Sequence, residues 1–157
     1  MAGSNGNILY PLGNWCVNNH EKWIDLLMKM VQDVPREGLH HSSRHAAAVV
    51  YKRTVAGVGF NKMKTHPIQA KFGKNAHAIY LHSEVDAIIN SLRSITLDEL
   101  RKSTLYVVRA KQLSTNEKRI VQGSSCPCSG CVGIILKFGI QRVVYTENIS
   151  GFMCVSL

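Results

Sequence analysis

The spacing of apolar residues predicts several helices. Apolar side chains recur every three or four positions over residues 17–34, which predicts an amphipathic helix that ends before Pro35 and Gly38. The same spacing is present in three shorter segments. These further helices are predicted over residues 84–92, 97–100 and 131–138.

Strand patterns lie between these helices. Residues 46–51 and 54–60 are apolar runs separated by two basic residues, which predicts an antiparallel hairpin. Two more strands are predicted, over residues 105–108 and 142–146. Because these last strands alternate with helices, we expect them to run parallel, with the helices packed on the sheet.

The remaining segments lack a clear period. Residues 39–44 and 111–125 are predicted as polar loops, and residues 61–80 as a long, irregular, lysine-rich connection. A long loop in a small domain is usually functional. Residues 1–14 are predicted to be a loose lead-in, and the pattern of residues 147–157 assigns no element.

Composition favours one globular domain over residues 1–157. A hydrophobic fraction of 45% in 157 residues is sufficient for a core without disulfides. Lys and Arg number 19 against 10 Asp and Glu, a formal net charge of +9. This excess favours an anionic partner, a nucleotide first and nucleic acid as an alternative.

Cysteine usage and the apolar pattern bear on location. The N-terminus lacks a basic region followed by an apolar core, and the apolar stretch over residues 132–140 is too short to span a bilayer. Three of the five cysteines lie within residues 126–131, which favours an intracellular metal site over a disulfide framework. We therefore expect a cytoplasmic protein without a membrane partner.

Cys128 and Cys131 lie one helical turn apart, which suits two thiolates that bind a single ion. Pro127 fits the first turn of a helix, whose N-terminus favours thiolate. Such a pair occurs in redox sites, zinc ribbons and catalytic zinc sites. A four-cysteine structural zinc site would need a second pair, and a thioredoxin-like pair would follow the first strand, whereas this pair comes late, after a polar loop. The pair alone does not decide among these kinds of site.

His82 and Glu84 provide the other parts of such a site. His82 lies just before the predicted helix over residues 84–92, and Glu84 lies in its first turn. A residue that precedes the helix is not bound by the helical period, so both side chains can converge on one ion. His82 then completes a three-ligand zinc site, with one zinc ion per chain, and Glu84 is left to transfer protons.

The order H-x-E and then P-C-x-x-C is the signature of zinc-dependent nucleobase deaminases. Residues 82–84 and 127–131 resemble the corresponding motifs of the cytidine and deoxycytidylate deaminase superfamily, and the resemblance extends over residues 44–145. It implies an α/β fold, a three-layer sandwich whose central five-stranded mixed sheet is flanked by helices. It also implies that zinc lies between two helix N-termini.

The resemblance further implies hydrolytic deamination of a cytosine-containing nucleotide, such as dCMP, to the uracil product with release of ammonia. Asn61 is implied to hydrogen-bond the sugar or base, and Ser83 and Pro127 are predicted as further substrate-binding residues. Members of the family often associate, so we expect a homo-oligomer.

Two alternatives remain open at this point. The net charge of +9 favours a deaminase that acts on a base in single-stranded nucleic acid or tRNA. In the other alternative, Cys126 joins the three ligands and closes a structural zinc site without activity, although we favour Cys126 as a bystander. The histidines outside the motif are irregularly spaced and are expected to face solvent; they are His40, His41, His45, His66 and His77.

Overall fold

The computed structural model describes residues 14–34, 44–73, 80–113 and 119–157. The predicted helix end at Pro35 and Gly38 and most of the predicted lead-in lie outside them, although Asn14 already belongs to the first helix. In chain order the elements are α1 (Asn14–Gln32), β1 (Arg44–Tyr51), β2 (Thr54–Phe60), β3 (Lys62–Thr65), α2 (Pro67–Phe72), β4 (Tyr80–Leu81), α3 (Ser83–Ser91), α4 (Leu97–Arg101), β5 (Thr104–Gln112), β6 (Ile120–Gly123), α5 (Ser129–Phe138), β7 (Arg142–Thr146) and β8 (Phe152–Ser156).

The main sheet is mixed, with strand order β2-β1-β5-β7-β8. β1 pairs antiparallel with β2 and with β5, β7 pairs antiparallel with β8, and β5 pairs parallel with β7. The last of these confirms the predicted parallel pair. A sixth strand, β6, pairs with residues 109–112 of β5, beyond the stretch that contacts β7. With helices on both faces, the predicted three-layer α/β sandwich is confirmed.

Helix α1 covers one face of the sheet. Its buried residues Ile24, Leu27 and Val31 recur at helical spacing and pack on alternate residues of β1 and β5. Within this layer His20 Nδ1 lies 2.8 Å from the hydroxyl of Tyr106, so both polar groups are satisfied inside the core. The layer holds the sheet in place without contributing to the metal motif.

Helix α3 lies close against β2 because two glycines remove side chains from the contact. A Cβ on Gly57 would lie 2.7 Å from the carbonyl oxygen of Ala87, and one on Gly59 would lie 2.7 Å from the carbonyl carbon of Asp86. The Asp86 carboxylate also accepts a hydrogen bond from the Phe60 N–H at 3.0 Å. These contacts hold α3 against β2.

Replacing Gly59 with alanine is expected to destabilise the fold by about 1–3 kcal/mol, the usual cost of overpacking. The added methyl would meet backbone atoms of α3, which cannot rotate away. Chemical unfolding measures the change. Gly133→Ala is the matched control, since its Cβ would lie 3.0 Å from a ring carbon of Phe72, a side chain that can move. Equal stability of the two variants would contradict the proposed contact.

The β1–β2 hairpin is confirmed, and its turn has an unusual composition. Lys52 and Arg53 adopt φ values of 45° and 65°, a backbone region that Asn-Gly pairs normally occupy in such turns. Pairing along both strands therefore outweighs the conformational cost of two basic residues at positive φ.

Two predictions about loops were wrong in part. The predicted connection over residues 61–80 contains β3, α2 and β4, and residues 74–79 lie outside the described chain. The predicted loop over residues 111–125 contains the end of β5 and all of β6. The unassigned tail forms β8, which pairs with β7. These short elements depend on pairing with distant segments, which local periodicity does not record.

Among the helices that the structure describes, none combines the length and the apolar character that a membrane span requires.

Candidate metal centre and active site

Two helices begin next to each other on the same side of the sheet, and each begins at a side chain that could bind a metal ion. His82 is the N-cap of α3 and Cys128 is the N-cap of α5, both with extended backbone. The Cys128 sulfur accepts a hydrogen bond from the Cys131 N–H at 3.5 Å. Because His82 lies just outside the helix, its ring turns toward the cysteines as the motif spacing predicted.

The three donor atoms converge. His82 Nδ1 lies 3.7 Å from the Cys128 sulfur and 3.2 Å from the Cys131 sulfur, and all three atoms lie within 4.8 Å of one another. Tetrahedral zinc with ordinary bond lengths places such atoms about 3.3–3.8 Å apart. Soft thiolates and an imidazole are the ligands that zinc prefers, so the donor set and its spacing both fit zinc.

A family model described as the cytidine and deoxycytidylate deaminase zinc-binding region matches residues 21–147. The chain belongs to this family. The zinc-binding region and the cluster of His82, Cys128 and Cys131 together confirm the predicted cofactor, one zinc ion. No curated protein matches the chain.

Two solved structures are similar to the chain at low identity. The dCMP deaminase from the cyanophage S-TIM5 in apo form is 18% identical, with 87% of this chain and 86% of that chain covered and a TM-score of 0.49. The same deaminase in complex with dCMP and dUMP is also 18% identical, with 84% and 81% covered and a TM-score of 0.46.

The pKa values of the two cysteine thiols in this cluster shift in opposite directions. The pKa of Cys128 is lowered to about 3, chiefly because the Cys131 thiol and then the His82 ring donate hydrogen bonds to its sulfur. The pKa of Cys131 is raised, first because that hydrogen bond retains its proton and second because the side chain is fully buried. Metal binding must release this proton, since zinc takes both cysteines as thiolates.

Glu84 lies beside the cluster but is not one of its three members. Its side chain is only 6% exposed, and burial raises its pKa above that of an ordinary glutamate. The hydroxyl of Ser83 donates a hydrogen bond to Glu84 Oε2 at 3.1 Å. A carboxyl group that is held in place and whose neutral form is stabilised suits proton transfer near neutral pH.

The predicted substrate residues occupy three different positions. Asn61 follows β2, and its Oδ1 accepts a hydrogen bond from the His45 N–H at 2.7 Å. Ser83 is fully buried and contacts Glu84, whereas Pro127 is half-buried directly before Cys128. Contact of these three residues with a substrate stays a prediction.

Cys126 lies apart from the metal cluster. Its side chain is exposed and is not among the grouped donors of the described residues. Burial, followed by a hydrogen bond with Cys126, raises the pKa of Tyr145 to about 12. The thiol therefore contacts Tyr145, and this arrangement favours the bystander interpretation over a closed four-ligand site.

Sequence reasoning missed two residues beside the site. His45 is half-buried in β1 rather than facing solvent, and it pairs with Arg109 of β5 on the sheet face that carries α3. Burial, then the charges of Arg109 and His82, lower the pKa of His45 to about 4. Gln69 of α2 is the other residue, and it contacts both ligand segments. Strand alternation could have indicated His45, but no local signal marks Gln69.

Proposed function

We propose that the chain hydrolytically deaminates a cytosine-containing nucleotide, such as dCMP, to the uracil product and ammonia. The observation that carries this proposal is the buried carboxyl of Glu84 beside the cluster of His82, Cys128 and Cys131. A structural zinc site has no need of a buried acid with a raised pKa at its edge, whereas a hydrolytic site does.

His82, Cys128 and Cys131 are the proposed zinc ligands, and each is placed by a helix start. When bound, zinc supplies the Lewis acidity that makes water nucleophilic at neutral pH. The helix N-termini add partial positive charge, which supports the thiolate form of both cysteines. Three protein ligands leave room for water, as hydrolysis requires.

Glu84 is the proposed proton carrier. It accepts a proton from the attacking water as the bond from oxygen to C4 of the cytosine ring forms, and it passes this proton to the ring nitrogen N3. It then takes the remaining proton from the hydroxyl now attached to C4 and transfers it to the exocyclic amine as the C4–N bond breaks, so that ammonia leaves, the C4 carbonyl forms and the ring becomes uracil. The hydrogen bond from Ser83 keeps the carboxyl group oriented through these transfers.

Positive charge near the site supports an anionic substrate. The guanidinium of Arg109 lies on the same sheet face as α3, and the chain carries a net charge of +9. The ammonium of Lys62 is less suited to this role because it lies 2.7 Å from the Asp86 carboxylate. We therefore favour a nucleotide over an uncharged nucleoside.

Asn61 is the proposed contact to the sugar or base, with Ser83 and Pro127 near the reacting ring. The Oδ1 of Asn61 accepts a hydrogen bond from the His45 N–H. This bond orients the amide so that its Nδ2 serves as the donor toward a substrate. Such an orientation is fixed before binding, which reduces the entropy lost when the substrate enters.

Asn61→Asp is expected to raise the KM for dCMP about tenfold, the effect of roughly 1.4 kcal/mol, with little change in kcat. The substitution keeps the oxygen that accepts from His45 and removes the proposed donor. Steady-state kinetics measure KM and kcat separately. Asn148→Asp is the control, because the Asn148 oxygen likewise accepts a backbone N–H, from Ser124 at 3.0 Å. An unchanged KM would mean that Asn61 only joins the open end of the β1–β2 hairpin, through its hydrogen bond with His45.

The direct test is to incubate zinc-loaded protein with dCMP, cytidine and a cytosine-containing oligonucleotide, and to follow ammonia release and ultraviolet absorbance. Turnover of dCMP above the other two supports the proposal. Preference for the oligonucleotide, with salt-sensitive binding in a gel shift, moves the assignment to a nucleic-acid deaminase. Full zinc content with no turnover of any cytosine substrate contradicts the proposed activity.

We further propose that the protein acts as a homo-oligomer in the cytoplasm. Both statements stay predictions: the first follows from the association that the family resemblance implies, and the second from the use of the cysteines in a metal motif rather than in disulfides. Sedimentation at several concentrations tests the first, and fractionation of cells that express the chain tests the second.

A further inference from the structure

We propose that Gln69 is a positioning residue that ties together the two halves of the zinc site. This proposal rests on the function proposed above, because it assumes that His82 and Cys131 are zinc ligands. The two ligands come from different helices, α3 and α5, which follow different strands. Their separation is therefore not fixed by the local chain, and a side chain that contacts both can set it.

The amide of Gln69 makes one contact with each half. Its Oε1 accepts a hydrogen bond from the His82 N–H at 3.2 Å, and its Nε2 lies 3.9 Å from the Cys131 sulfur, within donating distance of a thiolate. The side chain is 0% exposed. Glutamine is rarely buried completely, and a buried amide requires partners at both ends. Here both partners belong to the metal motif.

The short helix α2 holds this amide in position. The ring of His66 caps the helix by accepting a hydrogen bond from the Ile68 N–H at 3.3 Å, and Pro67 occupies the first turn. Ile68 and Phe72 pack on the apolar cluster that contains Cys131. The segment between β2 and α3 thus carries a supporting group for the metal site.

Each contact has a chemical consequence for the ligands. An N–H group directed at a thiolate withdraws electron density from the sulfur and fixes its position, which alters the strength of the bond to the metal. The contact to the His82 backbone fixes the N-cap residue, and through it the direction of the imidazole. Loss of the amide is therefore expected to weaken metal binding as well as catalysis, typically by about 10- to 100-fold.

The test measures metal binding directly. Gln69→Leu keeps an apolar side chain of similar size and removes both contacts. We expect its zinc affinity, from competition with a chromogenic chelator, to fall about 10- to 100-fold. In the cobalt-substituted protein, we expect the thiolate-to-cobalt absorption band to move to longer wavelength, since the sulfur loses a hydrogen bond. Ile68→Val is the matched control: it loosens the same helix and should lower the melting temperature without shifting that band.

A second variant tests the donor end of the amide separately from the acceptor end. It also provides a test if Gln69→Leu does not fold. Gln69→Glu retains the oxygen that accepts from His82 and replaces the donor facing Cys131 with another oxygen, so zinc affinity should again fall. Wild-type affinity and an unshifted cobalt band in either folded variant would overturn the positioning role. Failure of the proposed function looks different, because the unmodified protein would then bind no zinc or release no ammonia.

Discussion

Glu84→Gln is expected to lower the deamination rate about 10²- to 10⁴-fold, the usual contribution of a positioned general acid–base group, while zinc stays bound. The amide has the shape of the carboxyl group and can still accept the hydrogen bond from Ser83, but it cannot take up a proton. Because Glu84 lies outside the group of three metal donors, its loss should leave the zinc content at one ion per chain. Ammonia release and metal analysis on the same preparation measure both quantities.

Glu21→Gln is the matched control for this result. Glu21 is an exposed residue of α1, so the same chemical change there should alter neither rate nor metal content. A Glu84→Gln protein with the turnover of the unmodified chain would refute the proton-transfer role. A variant that loses zinc together with activity would instead place Glu84 among the groups that hold the metal.

Cys131→Ser is expected to abolish zinc binding and to destabilise the fold. Cys131 is 0% exposed and packs with Leu81, Val85 and Ile134, so its removal takes away a ligand and places a hydroxyl in an apolar cluster. Zinc that binds only the folded state stabilises it in proportion to its affinity, and that stabilisation is lost with the ligand. Metal analysis and thermal unfolding with and without a chelator measure both effects.

Cys126→Ser is the control that separates an open catalytic site from a closed structural one. Cys126 is exposed and contacts Tyr145 rather than the metal cluster, so its replacement should leave zinc content and melting temperature unchanged. If Cys126→Ser released zinc as completely as Cys131→Ser, Cys126 would be a fourth ligand. The site would then have no position for water, and the proposed hydrolysis would fail.

The sequence by itself determined the elements with strong local signals and the chemistry of the motif. The helix over residues 131–138 was predicted with its end, because Gly139 supplies the left-handed C-cap, at φ 77°. The convergence of the three candidate ligands was predictable for a similar reason. His82 and the two cysteines occupy helix starts, where a short sequence fixes both the backbone and the direction of the side chain.

Only the tertiary structure decided the features that depend on residues far apart in the chain. Strands β6 and β8 form because β5 and β7 offer them unpaired edges, and α2 forms where its apolar side packs beside Cys131. Gln69 shows the difference most clearly. Its sequence neighbourhood suggests a lysine-rich loop, and its contacts with His82 and Cys131 exist only because folding brings α2, α3 and α5 together. Local propensity cannot encode such contacts, since each requires the position of a segment set by packing elsewhere.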